Sequence, residues 1–226
     1  MRLKKRSAIV TGATGDIGAA TAEKFLSEGA KVMLTGRSSK KLEKVIQSLD
    51  GGKNIESFAA DVTNASEVEE LVERTIKVFG KVDIMFANAG TEGVAAPLED
   101  QSLDDFATVL NTNVIGVWLS IKYAIKAMKK NPGDSSIIVT SSGAGITGYA
   151  GASPYIASKH AVNGLAKSLN PEQPEVVRAA FEQLIPMQRW GANEEVANMV
   201  TFLASNEASF CTGGIYMVDG GMTATL

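Results

Sequence analysis

The chain has 226 residues, of which 45% are hydrophobic and 21% charged, with a formal net charge of −3 and a pI of about 5.4. The interspersed charges argue against a surface that binds nucleic acid. No apolar run is long enough to span a bilayer. We therefore expect a cytoplasmic protein that binds neither nucleic acid nor a membrane. A single cysteine excludes an intramolecular disulfide and, with a single histidine, leaves a His/Cys metal site almost without ligands.

The first strand and the turn after it predict a phosphate site. Ala8-Ile9-Val10 is a buried-strand pattern, and apolar residues recur with helical spacing after Gly18. Between them lies Thr11-Gly12-Ala13-Thr14-Gly15-Asp16-Ile17-Gly18. Its glycines would let the backbone approach a phosphate, and the free N–H groups of a helix start attract an anion. A plain tight turn is the alternative.

The second predicted strand, residues 31–35, bears on the choice of cofactor. It ends in Gly36-Arg37-Ser38, where a dinucleotide-binding unit meets the adenine ribose. An acidic residue there would bind the ribose hydroxyls of NAD, whereas Arg37 offers a positive charge to the 2′-phosphate of NADP. We therefore predict NADP, with NAD as the alternative. A solvated loop arginine is the other interpretation of Arg37.

Strands and helices continue to alternate along the chain. Helical patterns cover residues 40–49 and 66–79, and strands are predicted at residues 56–60, 81–86 and 136–140. This alternation predicts an α/β fold, a Rossmann-like doubly wound parallel sheet with helices on both faces, in a single domain over residues 1–226. Ligands bind such sheets at the carboxyl ends of the strands, where Gly12, Arg37, Asp61 and Asn88 fall.

The third quarter of the chain holds the candidate chemistry. A long helix is predicted over residues 103–130, although it contains Asn113, a poor helix former. The strand at residues 136–140 runs into Ser141-Ser142-Gly143, so Ser142 places a hydroxyl at its carboxyl end. The helix after it carries Tyr155 and Lys159 one turn apart on the same face. An ammonium beside a phenol stabilises the phenolate, which can act as a general base. Alone, such a pair is also typical of a solvated helix surface.

In this order and spacing the motifs resemble those of the classical short-chain dehydrogenases/reductases over nearly the whole chain. The matching segments are the turn Thr11–Gly18, Asp61-Val62, Asn88-Ala89-Gly90, Asn113, Ser142 and Tyr155-x-x-x-Lys159. The resemblance implies an NAD(P)(H)-dependent oxidoreductase that interconverts a small-molecule ketone and a secondary alcohol by hydride transfer. It also implies a homo-oligomer, either a tetramer or a dimer.

The resemblance further implies a role for each matching residue. Tyr155 would exchange a proton with the substrate oxygen and Ser142 would hydrogen-bond it, while Lys159 holds the nicotinamide ribose and Asn113 positions a water. The implied cofactor-binding residues are Gly12, Thr14, Asp16, Ile17, Gly18, Arg37, Ser38, Asp61, Val62, Asn88, Ala89, Gly90, Tyr155 and Lys159.

The sequence departs from the family in two places. Asp16 replaces the second glycine of the turn, and its carboxylate would repel a pyrophosphate unless it turns outward. After Asn170, Pro171 follows at once, so the sixth strand and its Pro-Gly loop are missing before a substrate lid predicted at residues 171–190.

Two explanations of the second departure are open. Either the protein lacks this segment, or the numbering crosses a segment that the 226 residues do not include. We favour the second, because a strand predicted at residues 215–218 would otherwise lose its neighbour. The departures also leave a second function open, a catalytically impaired nucleotide-binding sensor or interaction module.

Overall fold

The computed structural model describes residues 1–131, 133, 135–168, 183, 185–189, 191–211 and 216–221. The chain divides into two compact units, Met1–Leu169 and Asn170–Leu226. The junction between Asn170 and Pro171 and most of the predicted lid lie outside the described residues. The single domain over residues 1–226 stays a prediction.

The first unit is built on a parallel sheet of five strands, in the order β3-β2-β1-β4-β5. The strands are β1 (Ser7–Thr11), β2 (Lys31–Gly36), β3 (Ile55–Ala59), β4 (Ile84–Ala87) and β5 (Ser136–Val139). From the central β1 the chain winds outward through β2 to β3, and then through β4 to β5 on the other side. The predicted doubly wound sheet is therefore confirmed.

In its described residues this unit has six α-helices, which connect or follow the strands. They are α1 (Asp16–Ser27), α2 (Ser39–Ser48), α3 (Ala65–Phe79), α4 (Leu103–Leu110), α5 (Gly116–Met128) and α6 (Ser153–Lys167). A π-helical turn, Asn111–Ile115, joins α4 to α5. The asparagines in the predicted long helix therefore mark a local widening rather than its end.

Successive side chains of each strand pack on opposite faces of the sheet, because strand side chains alternate. One core cluster joins Leu71 of α3 and Ile121 of α5 to the sheet, and its strand residues include Ile9, Met33 and Met85. The other joins Ala22 of α1 and Leu42 of α2 to the sheet, and its strand residues include Val10, Val32, Leu34 and Phe86. Helices thus cover both faces, as predicted.

The second unit contains the helix α7 (Asn193–Ala204). Glu195 pairs with both terminal nitrogens of Arg189, at 2.8 and 2.7 Å, and accepts a hydrogen bond from the backbone N–H of Ala192. Residues 216–218 have no regular structure, so the predicted strand at 215–218 is wrong in its described part. A strand needs a paired neighbour, and the described residues of this unit provide none.

None of the helices in the described ranges is long and apolar enough to cross a membrane.

Asp83 ties the amino ends of β1 and β4 together. It is 1% exposed, accepts a hydrogen bond from the backbone N–H of Ser7 at 2.8 Å, and pairs with Lys81 at 2.9 Å. Asp83→Ala leaves the buried Ser7 N–H without its acceptor, so we expect the free energy of unfolding to fall by about 2 to 3 kcal/mol in urea denaturation.

Glu69→Ala is the matched control for Asp83→Ala, because it removes a carboxylate that pairs with Lys126 at 2.8 Å on an exposed surface. We expect this control to lose less than about 0.5 kcal/mol. Equal losses in the two variants would contradict the role given to Asp83.

Candidate active site

A cleft of about 580 Å³ lies at the carboxyl ends of the strands. Each strand contributes a residue that follows it: Gly12 after β1, Arg37 after β2, Asp61 after β3, Asn88 after β4 and Thr140 after β5. Because all the strands are parallel, these residues meet at one edge of the sheet. The cleft therefore lies where doubly wound folds bind their ligands.

Most of the predicted site residues line this cleft. They are Gly12, Thr14, Asp16, Ile17, Arg37, Asp61, Val62, Asn88, Ala89, Gly90, Tyr155 and Lys159. The predicted residues outside its wall are Gly18, Ser38, Asn113 and Ser142. Each of these four residues packs against, or hydrogen-bonds to, the backbone of a neighbouring segment.

The turn after β1 brings backbone to the cleft at close range. Gly12 has φ +64°, and a Cβ there would lie 2.9 Å from the Cα of Ala89. Gly18 lies behind the turn, and a Cβ there would come within 2.4 Å of the Gly12 carbonyl oxygen. A side chain fits at neither position, because neighbouring backbone atoms come too close. At Gly12 the positive φ is a second reason for glycine.

The start of α1 is free to receive an anion. Gly15 is its N-cap, and a glycine has no side chain to accept from the first amides of the helix. Gly15, Asp16 and Ile17 all line the cleft, so these amides lie in its wall. The exposed Asp16 carboxylate is in the same wall, and its charge opposes the attraction that the amides provide.

At the next strand end, Arg37 is exposed in the cleft wall and Ser38 caps α2 by accepting from the backbone N–H of Lys41. Asp61 accepts from the backbone N–H of Thr63 at 2.9 Å and from its hydroxyl at 2.8 Å. The backbone bond from Thr63 is the main cause of a lowered pKa at Asp61, with the Thr63 hydroxyl and the Arg37 charge adding to it. Asp61 is thus held as a carboxylate near Arg37.

Tyr155 and Lys159 both lie on α6 and both line the cleft. The Lys159 Nζ is 5.5 Å from the centroid of the Tyr155 ring. Lys159 is only 5% exposed and donates a 2.9 Å hydrogen bond to the Thr140 carbonyl. Burial lowers the pKa of Lys159. The pair is therefore in the cleft, not on a solvated helix surface.

Asn113 lies in the π-helical turn and is completely buried. Its Oδ1 accepts from the backbone N–H of Thr91 at 2.8 Å. Its Nδ2 donates to the Thr91 carbonyl at 2.8 Å and to the Ser158 hydroxyl at 2.9 Å. Both amide hydrogens and the oxygen have protein partners, so this side chain ties the loop after β4 to α6.

Ser142 lies in the loop between β5 and α6, where it caps a short 3₁₀ turn, Gly143–Gly145. Its Oγ accepts from the backbone N–H of Ala144 at 3.2 Å. Since a hydroxyl both accepts and donates, the Ser142 hydrogen stays available for another acceptor.

Sequence reasoning missed several cleft residues. The wall also contains Gly36, Ala60, Thr91, Glu92, Thr108, Thr112 and Thr140. Thr140 could have been found, because it is the last residue of a predicted strand and so lies at the same edge of the sheet as Asp61 and Asn88. Thr108 and Thr112 carry no such signal, since only the packing of α4 and the π-helical turn against α6 brings them to the cleft.

No group of three or more His, Cys, Asp or Glu side chains in the described part of the chain could hold a metal ion.

The sheet, the glycine turn and the cleft define a Rossmann-like α/β protein. A family model described as short chain dehydrogenase matches residues 6–180. A second model, described as Enoyl-(Acyl carrier protein) reductase, matches residues 170–223. The chain belongs to the short-chain dehydrogenase family, whose members are NAD(P)-dependent oxidoreductases.

Two curated relatives match almost the whole chain. Levodione reductase of Leifsonia aquatica is 31% identical over 258 residues, covering 99% of this chain and 96% of that protein. NADP-dependent (R)-specific alcohol dehydrogenase of Lentilactobacillus kefiri is 33% identical over 249 residues, covering 99% and 98%. Both alignments are longer than the 226 residues of this chain, so the relatives contain internal residues without a counterpart here.

Solved structures of family members are similar over the same extent. Levodione reductase superposes with a TM-score of 0.69 at 30% identity, over 100% of both chains. NAD⁺-bound xylitol dehydrogenase superposes with a TM-score of 0.71 at 30% identity, over 98% of this chain and 100% of that one. This chain is thus similar both to an NADP-dependent relative and to a relative with bound NAD⁺.

Asp16→Asn removes a negative charge from the wall beside the uncapped start of α1. We expect the dissociation constant of the nicotinamide cofactor to fall about three- to tenfold, because the repulsion of its pyrophosphate is removed. Fluorescence titration measures this constant without turnover. Glu23→Gln, which removes the same charge from an exposed position farther along α1, should leave it unchanged. Equal effects would assign the change to net charge alone.

Proposed function

We propose that this protein interconverts a ketone and a secondary alcohol, with Tyr155 as the general acid and base. The observation that carries the proposal is the pairing of Tyr155 with the buried Lys159 in the cleft wall. The names of the two relatives, a reductase and an alcohol dehydrogenase, support both directions of such a reaction.

The residues of the cleft fit a dinucleotide. The Gly12 turn leaves no space for a side chain, and the N-cap Gly15 offers the amides at the start of α1 no side-chain acceptor. These groups would hold the pyrophosphate, and Lys159 would hold the nicotinamide ribose. When bound, the nicotinamide supplies or accepts the hydride.

The proton chemistry belongs to the protein. In reduction, the Tyr155 hydroxyl would give its proton to the substrate oxygen as that oxygen gains negative charge. The Lys159 ammonium stabilises the phenolate that remains, and in oxidation the phenolate takes the proton back. The Ser142 hydrogen, which is not needed for the bond with Ala144, would donate to the same substrate oxygen.

Asn113 would contribute to this chemistry indirectly, by holding other residues in place. Its side chain holds the backbone of Thr91 on one side and Ser158 on the other. Ser158 in turn donates to the carbonyl of Tyr155 at 2.7 Å. Asn113 therefore supports the placement of the catalytic segment of α6, and its fully bonded amide does not favour direct contact with a relay water.

We expect Tyr155→Phe to lower kcat about 10³-fold while changing the cofactor dissociation constant less than about twofold, because only the exchangeable proton is removed. Steady-state kinetics on a panel of ketones and secondary alcohols, with a cofactor titration, measures both quantities. Tyr123→Phe on α5, outside the cleft, is the matched control and should keep full activity. Retained activity in Tyr155→Phe would refute the assignment.

The cofactor is proposed to be NADP(H), because Arg37 is exposed in the wall at the end of β2. A guanidinium there would pair with the 2′-phosphate, which NAD lacks.

Arg37→Ala should raise KM for NADPH at least about tenfold and leave KM for NADH nearly unchanged, because it removes a charge-assisted bond to the 2′-phosphate alone. Initial rates measured with each cofactor give the ratio of KM for NADPH to KM for NADH. Lys44→Ala removes the same charge from an exposed position on α2 and should not change it. An unchanged ratio in Arg37→Ala would instead favour NAD as the cofactor.

A second candidate, a nucleotide-binding sensor or interaction module without catalysis, is favoured by two observations. Asp16 puts a carboxylate in the wall where a pyrophosphate would bind, and the relatives contain internal residues that this chain lacks. Tight cofactor binding by the unaltered protein without turnover on the whole panel would select this function.

The protein is also proposed to be a homo-oligomer. Ile115 and Trp118, at the π turn and on α5, are each 44% exposed. Large apolar side chains at neighbouring positions on one helix suit packing against a second copy of the chain.

A further inference from the structure

Thr140 is the first residue after β5, and two of its groups hydrogen-bond to other residues of the cleft wall, Lys159 and Asn88. Its carbonyl oxygen accepts the 2.9 Å hydrogen bond from the Lys159 Nζ. Its hydroxyl donates to the side-chain oxygen of Asn88, also at 2.9 Å. One residue thus joins the ammonium of the catalytic pair to the strand end of β4.

Asn88 carries the connection on to the glycine turn. Its Nδ2 donates to the Thr11 carbonyl at 3.2 Å, and its backbone N–H donates to the Thr11 hydroxyl at 2.8 Å. Thr11 precedes Gly12, where a Cβ would lie only 3.2 Å from the Asn88 Nδ2. A continuous set of hydrogen bonds therefore runs from Lys159 through Thr140 and Asn88 to the turn.

The backbone at Thr140 has little other support. Its N–H donates to the Ala87 carbonyl at 3.1 Å, which extends the pairing of β5 with β4 by one residue. Within the described sheet β5 is an edge strand, and Ile138 on it is 41% exposed. The side-chain bond to Asn88 is thus the second restraint on the peptide that holds Lys159.

We propose that Thr140 is a positioning residue whose hydroxyl, through Asn88, fixes the carbonyl that holds Lys159 and couples it to the cofactor turn. The kinetic part of this inference rests on the proposed function, whereas the coupling to cofactor binding does not. A methyl group in place of the hydroxyl would leave the Asn88 oxygen without this donor and remove one restraint on the position of the Thr140 carbonyl.

The test compares Thr140→Val with Thr140→Ser. Valine keeps the shape of threonine without the hydroxyl, so we expect kcat to fall and the cofactor dissociation constant to rise, each by up to about tenfold, the worth of one hydrogen bond. Serine keeps the hydroxyl and should restore both to within about twofold. If the two variants behave alike, or if valine has no effect, the proposal is overturned.

Thr75→Val is the matched control, since it removes a fully buried threonine hydroxyl that donates to the Leu71 carbonyl within α3, outside the cleft wall. It should leave kcat and cofactor binding unchanged. A similar loss in Thr75→Val would show that any buried hydroxyl has this effect, and the positioning role would fall.

A double-mutant cycle with Asn88→Ala tests the route of the coupling. If Thr140 acts through Asn88, the two changes share one effect on the cofactor dissociation constant and their energies do not add. Additive energies would overturn the route. Because titration needs no turnover, a protein that binds cofactor but reduces no ketone would refute the proposed function and still allow this test.

Discussion

Parallel pairing around β1 is the constraint on which the rest of this structure depends. Because β2 and β4 flank β1 in the same direction, with Ile9 opposite both Met33 and Met85, every strand ends at the same edge. Polar residues that would be scattered along the chain are thereby gathered in one cleft. The apolar faces of the sheet are covered by helices on both sides, so the strand ends are where backbone and polar side chains remain open to a ligand.

The gathered residues are held by hydrogen bonds between buried or half-buried polar groups. Asn113 fastens the loop after β4 to α6, and Thr11 accepts from the backbone N–H groups of both Asn88 and Ala89. Such bonds are costly to leave unmade in a low-dielectric interior, so they fix the loops more strictly than exposed contacts would. These hydrogen bonds therefore fix the shape of the cleft before any ligand binds.

Lys159 is a buried charge in the wall of the cleft. Its ammonium is almost excluded from water, and burial lowers its pKa, yet the Thr140 carbonyl gives it a hydrogen-bond acceptor. A buried cation is less screened by water than a solvated lysine, so its charge acts more strongly on its neighbours in the cleft wall. Under the proposed function, this burial is the physical reason that a spacing common on helix surfaces would carry chemistry at this position.

The sequence by itself determined the fold class, the order of the elements and most of the cleft, because alternating strand and helix patterns are local and parallel strands end together. It also predicted Tyr155 and Lys159 as neighbours, since helical spacing fixes which side chains share a face. It did not predict that the Asn113 amide would be fully bonded, that Thr108 and Thr112 would line the cleft, or that residues 216–218 would be irregular. These features depend on partners distant in the chain, which only the tertiary structure supplies.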